Sequence, residues 1–241
     1  MPIPEKTGKK VPILTFTDVS KIFDYGTHSL RGINLSISQG EFVFVCGRTG
    51  SGKSTLLRLV TRELEPTSGR IEFLGQDIAG IRYGEMPFYR RQVGVIRQGF
   101  GLFLEDKTAA ENLEFVMRAT GHEEETLQER AQRALSMVGL GKKTGFLVTD
   151  LSVGERKRVE IARALVNSPK MIIADEPTSS LDRDLAWDIM SLFDDINRLG
   201  VTILVVTHDR EMVNLMRKRV LTFANGKILG DVRGGRYGDL V

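Results

Sequence analysis

Apolar and polar positions along this chain fall into short, sharply bounded runs of two different periods. Residues 11–19 and 30–37 alternate apolar with polar, as half-buried strands do, and Leu30, Ile33, Leu35 and Ile37 form the apolar side of the second run. Residues 42–46 are an unbroken apolar run, which predicts a strand buried on both faces; 171–174 reads as a buried strand, and 201–206 as an apolar strand interrupted only by Thr202. Residues 70–74 and 93–96 read as shorter strands. Helical patterns lie between them, at 53–64, 108–119, 123–138, 153–166, 185–198 and 210–217. Thr108 with Glu111 three residues on is a capping-box start. Pro169 and Gly200 stop two of the later helices. Residues 220–223 and 227–229 predict a hairpin turning on Asn225-Gly226. Strands alternating with helices predict an α/β fold. The helical block at about 99–167 reads as an insertion into it. Residues 1–10 read as a loose arm, which leaves 11–241 as one domain.

Composition narrows the function classes. The chain has 241 residues, the length of one domain with a large inserted lobe. Lys and Arg number 34 against 31 Asp and Glu, and the net charge of +3 demands neither nucleic acid nor an anionic membrane. The single Cys excludes an internal disulfide and a four-Cys zinc site, and it fits a reducing, cytoplasmic setting. Cys46 itself reads as a small core residue. No apolar run approaches the ~18 residues that cross a bilayer. The first residues carry Pro, Lys and Gly without an apolar stretch, so no secretory leader is expected.

Gly47-Arg48-Thr49-Gly50-Ser51-Gly52-Lys53-Ser54 fits the phosphate-binding pattern G-x-x-x-x-G-K-[ST], between a strand and a helix as its mechanism requires. Its glycines let backbone N–H groups turn inward around a polyphosphate, and the following helix adds its positive end. Lys53 is placed to reach the β- and γ-phosphates and Ser54 to hold Mg²⁺. The apolar run 171–174 ends in Asp175-Glu176, where one acid suits Mg²⁺ and the other the attacking water. His208 follows the strand expected beside the phosphate loop, and Gln98 ends the strand at 93–96. Leu151-Ser152-Val153-Gly154-Glu155 opens a basic helix carrying Arg156, Lys157, Arg158 and Arg163. Ser152 and Gly154 there make a second anion site, which one nucleotide touches as well or a second chain completes.

In this order, the phosphate loop, Gln98, the 151–155 signature, Asp175-Glu176, Ser180-Leu181-Asp182 and His208 resemble an ABC transporter ATPase subunit over about residues 13–230. The resemblance implies a P-loop NTPase fold: a RecA-like core with an antiparallel β subdomain and an inserted α-helical subdomain. It implies ATP and Mg²⁺, with nucleotide held by residues 47–53, Ser54 and Thr55, and metal by Ser54, Gln98 and Asp175. Glu176, His208 and Gln98 complete catalysis in this picture. A homodimer closes on ATP, with Ser152 and Gly154 acting on the partner's nucleotide and Asp182 at the seam. Phe23 falls where an aromatic stacks on adenine, with Tyr25 as the nearby alternative.

Glu85-Met86-Pro87-Phe88-Tyr89-Arg90-Arg91-Gln92-Val93-Gly94 and Leu199-Gly200-Val201-Thr202 are similar to stretches of the FtsE family of bacterial cell-division ATPases. That likeness implies an FtsX-like membrane subunit as partner, control of peptidoglycan hydrolases across the membrane, and a peripheral position on the inner face through the partner alone. ATPases of lipoprotein release and macrolide export share most of these motifs and remain the alternative. Departures from the family pattern are Val153 for a glycine, Ser179-Ser180 in the loop before Asp182, and Gly99 after Gln98. Apolar residues around 99–104, Phe103 among them, are the expected docking hinge for the membrane partner. Arg217-Lys218-Arg219 reads as a solvated face, with a lipid contact open. A DNA- or ribosome-directed ABC ATPase would show a coiled-coil insertion or two ATPase units, and a small-molecule kinase would leave the 151–155 signature unexplained.

Overall fold

The computed structural model describes residues 11–99 and 103–240. The expected arm at 1–10, and Phe100, Gly101 and Leu102 of the expected hinge, lie outside the described residues. The chain begins with a hairpin, β1 (Pro12–Phe23) and β2 (Thr27–Ser38), followed by β3 (Phe42–Gly47) and α1 (Lys53–Val60). Next come β4 (Ser68–Phe73), the two-residue β5 (Gln76–Asp77), α2 (Met86–Gln92) and β6 (Val93–Ile96). Three helices fill the central block: α3 (Ala109–Ala119), α4 (Leu127–Met137) and α5 (Val153–Leu165). The last part runs β7 (Met171–Asp175), α6 (Arg183–Arg198), β8 (Thr202–Val206), α7 (Arg210–Met216), β9 (Arg219–Ala224) and β10 (Lys227–Val232).

Two sheets result, a four-stranded antiparallel one ordered β2-β1-β4-β5 and a six-stranded one ordered β10-β9-β3-β8-β7-β6. In the larger sheet β9, β3, β8, β7 and β6 are parallel and only β10 runs back. The unbroken apolar runs are explained by two cores, one on each face of that sheet. Phe42, Phe44 and Cys46 of β3 face the core shared with α3–α6, whereas Val43 and Val45 face the core shared with α1 and the antiparallel sheet. Ile203 and Val205 of β8, and Ile172 and Ala174 of β7, follow the first pattern; Leu204, Val206, Met171 and Ile173 follow the second. Each strand thus carries apolar residues on both sides, the arrangement that hides a period-two signal.

Several elements differ from the pattern reading. The helix expected over 53–64 ends at Val60, because Arg62 takes a left-handed φ of 54° and its guanidinium donates to the Ala79 carbonyl at 2.9 Å and to that of Ile81. Helix α2 was not foreseen; it is seven residues long and opens with Pro87 in its first turn, too short for a 3.6-residue period to emerge. The segment expected to be helical from 123 starts as a 3₁₀ turn and becomes α-helical only at Leu127. The capping box at Thr108 and Glu111 is present at the start of α3. The hairpin turns on Asn225 and Gly226, with φ of 49° and 75°. Of Arg217-Lys218-Arg219, only Arg217 is on the exposed, solvated face expected of all three; Lys218 and Arg219 are turned to internal partners. Arg219 is mostly buried between Glu41 and Asp231, at 2.7 Å from each, and Lys218 is paired with Asp194. The charges of Lys218 and Arg219 are matched inside the fold, which leaves Arg217 alone of the three to face solvent.

Candidate nucleotide site

Register brings the site together. Val45 pairs with Val206, Asp175 with Val206, and Ile96 with Ala174, so β3, β8, β7 and β6 end level with one another. The phosphate loop, His208, Asp175-Glu176 and Gln98 therefore leave a single edge of the sheet. The carboxyl edge of a parallel sheet is where such folds bind ligands.

Two glycines of the loop are demanded by close approach. A Cβ on Gly47 would stand 2.3 Å from the Phe223 carbonyl oxygen, and one on Gly52 would stand 2.6 Å from that of Ser29. Both also have positive φ, 149° and 107°. Arg48, Thr49 and Gly50 form the exposed rim. Lys53 opens α1 and folds back over the loop, donating from Nζ to the carbonyls of Gly47 at 2.8 Å and Arg48 at 3.0 Å. Two contacts brace the loop from outside: the Gly226 N–H donates to the Ser51 carbonyl at 3.1 Å, and the hydroxyls of Ser29 and Thr55 lie 2.7 Å apart. Thr55 is thereby engaged with β2 as an anchor of the loop. Ser51 Oγ is buried and meets no hydrogen-bonding partner among the described residues. A buried hydroxyl left over within the glycine loop fits a phosphate oxygen.

Opposite the loop, Ser54 Oγ lies 3.5 Å from Asp175 Oδ2. Burial, and then the neighbouring Glu176, raise the Asp175 pKa, while Lys53, Ser54 and Arg97 oppose the rise. A desolvated carboxylate beside a hydroxyl is a hard-oxygen pair suited to Mg²⁺. Among the described residues no cluster of three or more His, Cys, Asp or Glu makes a metal site by itself. Mg²⁺ carried by phosphates needs only one or two protein oxygens, so the pair fits. Glu176 sits at the strand end with φ of 48°, a left-handed conformation costly for a side chain of its size. Its N–H donates to the Val206 carbonyl at 2.9 Å. Its carboxylate accepts from His208 Nδ1 at 2.7 Å and from the His208 N–H at 3.4 Å. Glu176 is 12% exposed and the imidazole 70%, so the acid is sheltered under the ring. Sequence reading placed both residues in the site but missed their mutual bond. The signal lay in two residues that leave adjacent strand ends. Gln98, two residues beyond β6, is exposed on the same edge.

The signature residues lie apart, at the start of α5. Ser152 caps the helix: its Oγ accepts from the Glu155 N–H at 3.3 Å, and Glu155 accepts from the Ser152 N–H at 3.1 Å. Lys143, hydrogen-bonded at 2.6 Å, and this capping contact lower the Glu155 pKa. This capping box was missed in the sequence, although Ser152 and Glu155 have its spacing. It occupies two of the N–H groups expected to greet an anion and leaves those of Val153 and Gly154. Gly154 is buried against α6, where a Cβ would come within 2.9 Å of Leu185. Asp182 caps α6, accepting from the Leu185 N–H at 2.9 Å. Phe23 ends β1, 36% exposed, with Lys21 Nζ 5.5 Å from its ring centre; the Tyr25 side chain lies outside the described set.

A glycine loop closed by a lysine, a Ser–Asp oxygen pair and a histidine-bound glutamate on one sheet edge define a P-loop nucleotide hydrolase. The ABC transporter family model matches residues 30–179. The cell-division ATP-binding protein FtsE of Streptococcus pneumoniae strain D39 is 41% identical over 94% of this chain and 98% of its own length. FtsE of Bacillus subtilis is 40% identical, over 94% and 99%. Among solved structures, cbiO1 of Clostridium perfringens superposes with a TM-score of 0.85 at 31% identity, covering 93% of this chain and 90% of that one. The dimeric cassette MJ0796, in a post-hydrolysis state with ADP and Pi, gives 0.79 at 30%, covering 93% and 100%. The chain belongs to the ABC transporter family of ATPases, as an FtsE-like member.

Proposed function

We propose that this chain is the ATPase subunit of an FtsEX-like complex, a single domain at 11–241 whose helical lobe spans about 99–167. It works as a homodimer that closes on two ATP and opens after hydrolysis. Lys53, the loop N–H groups and Ser51 hold the phosphates; Ser54, Asp175 and Gln98 are the residues that would hold Mg²⁺, which supplies charge neutralisation when bound. Glu176 takes a proton from the attacking water, and His208, bonded to it through Nδ1 with most of its ring exposed, keeps the carboxylate aimed. Ser152 and Gly154 serve the partner's nucleotide, Asp182 lies at the seam, and Phe23 stacks on adenine. The observation that carries this reading is the 2.7 Å Glu176–His208 bond beside the Ser54–Asp175 pair.

The work is delivered to an FtsX-like membrane subunit that controls peptidoglycan hydrolysis during division, and the chain reaches the inner face of the membrane through that subunit alone. No helix among the described residues is long and apolar enough to cross a membrane. The identity of about 40% to FtsE relatives over nearly the whole chain favours this assignment over lipoprotein release or macrolide export. The docking hinge expected at Phe103 is refined by its surroundings. Phe103 is half-buried against the lobe core, under the Arg163 guanidinium at 5.2 Å. Beside it opens a cleft of about 460 Å³ between sheet and lobe, lined by Tyr89, Arg90, Arg97, Val116, Arg163 and Asn167. This cleft is the better seat for a short cytoplasmic helix of the partner.

Glu176→Gln tests the site. Losing the carboxylate while keeping its shape lowers hydrolysis by ~10²-fold or more. Mg-ATP then traps a dimer, read by size-exclusion chromatography. Undiminished hydrolysis would remove Glu176 from the chemistry; a variant that binds ATP yet stays monomeric at high concentration would sink the sandwich.

A further inference from the structure

Among the described residues the fully buried charges are Lys157 and Glu160, each 1% exposed and paired at 2.7 Å on α5. The ATPase chemistry above does not use them. A buried ion pair is seldom more stabilising than apolar residues of similar volume, so stability alone is a poor reason for this one. Lys157 Nζ also donates to the Gly99 carbonyl at 2.7 Å. Gly99 is the residue after Gln98. On the other side of Gln98, Arg97 is paired with Glu63 at 2.6 Å, in the turn that follows α1. Gln98 is therefore strung between two charged anchors. One is fixed to the helix that begins with Lys53; the other is fixed to the helix that begins at the signature.

We propose that Lys157 and Glu160 are positioning residues that tie the Gln98 segment to the signature helix and so hold Gln98 in place at the nucleotide edge. An ammonium has three donors in tetrahedral array; Glu160 fixes one, and a second then points at the Gly99 carbonyl. This inference rests on the reading of Gln98 as a residue of the Mg²⁺ site.

The test uses the full chain in a Glu176→Gln background, where turnover is suppressed and binding is read directly. The affinity for a fluorescent ATP analogue is measured with and without Mg²⁺ for the double variant Lys157→Met/Glu160→Met and for Gln98→Ala. Replacing both charges with apolar residues of similar length keeps the fold. Affinity without Mg²⁺ stays unchanged, while the gain on adding Mg²⁺ shrinks about tenfold in both variants, as loss of a support behind a metal ligand does. A folded double variant with the full Mg²⁺ gain, beside a Gln98→Ala that loses it, overturns the tie and leaves the site reading intact. A full gain in both variants removes Gln98 from the site and the inference with it. Should the double variant fail to fold, Lys157→Met/Glu160→Gln, which removes the ammonium and its bond to Gly99 and leaves no unpaired charge, is read by the same two outcomes.

Discussion

Glu176 shows how much local constraint one side chain of the candidate site absorbs. Its left-handed backbone, its N–H bond to Val206 and its two bonds from His208 fix the carboxylate from three directions. Such a residue holds its conformation only because the two strand ends on either side leave it no alternative. The same environment governs Cys46, one residue before the loop. Burial pushes its thiol up to about 12, with Lys53 opposing and Glu176 adding to the rise. At pH 8 the thiolate is then about one part in ten thousand, and the folded protein reacts with a maleimide at least about a thousandfold more slowly than the unfolded chain. Labelling followed by mass spectrometry checks this. Fast labelling of folded protein would mean that the end of β3 opens readily.

At the level of elements, the caps carry both stability and site geometry. Asp182 holds the first turn of α6 through the Leu185 N–H, and Leu185 packs on Gly154 at the start of α5. Asp182→Ala lowers stability by about 1 kcal/mol, seen as a lower denaturation midpoint with an unaltered slope. Thr108→Ala, which breaks the capping box of α3 far from the nucleotide, costs a similar amount and leaves the ATPase rate as it was. A rate that falls with Thr108→Ala would mean that the lobe's distant helix is part of the catalytic cycle. Which elements the sequence revealed follows from the same physics. β3, β7 and β8 were plain because both of their faces are buried, yet for that reason the run of apolar letters could not say that Phe44 and Val45 serve different cores. The phosphate loop, Asp175, Glu176 and His208 were legible because strand ends and residue types are local. Their mutual contacts were not, since the level ends of β7 and β8 are set by sheet register. The stop of α1 at Arg62 depends on carbonyls of Ala79 and Ile81, which no window around Arg62 contains. Lys157 and Glu160 looked like ordinary members of a charged helix; only packing places them in the interior.

At the scale of the whole molecule, the proposed partner seat in the cleft between sheet and lobe and the proposed nucleotide edge are different surfaces. Arg90 lines that cleft on α2, exposed and clear of the sheet edge that holds the nucleotide. Arg90→Glu should reduce capture of an FtsX-like subunit in detergent by ten-fold or so while leaving nucleotide affinity unchanged, because an unpaired or repelling charge at an interface costs about 1.4 kcal/mol or more. Equal capture by the variant would place the contact elsewhere on the surface. The strand order of the larger sheet has another consequence, one that concerns how the protein is made. β3 carries the phosphate loop and lies between β8 and β9, with Phe42 beside Ile203 and Val43 beside Arg219. On the ribosome, β1, β2 and β4 emerge early and pair with one another, whereas β3 waits for neighbours encoded near the far end of the message. Until then a bare apolar strand is exposed, a natural target for chaperones. The nucleotide site is thus completed late: a chain interrupted before β8 and β9 lacks His208 and both neighbours of the strand that carries the phosphate loop.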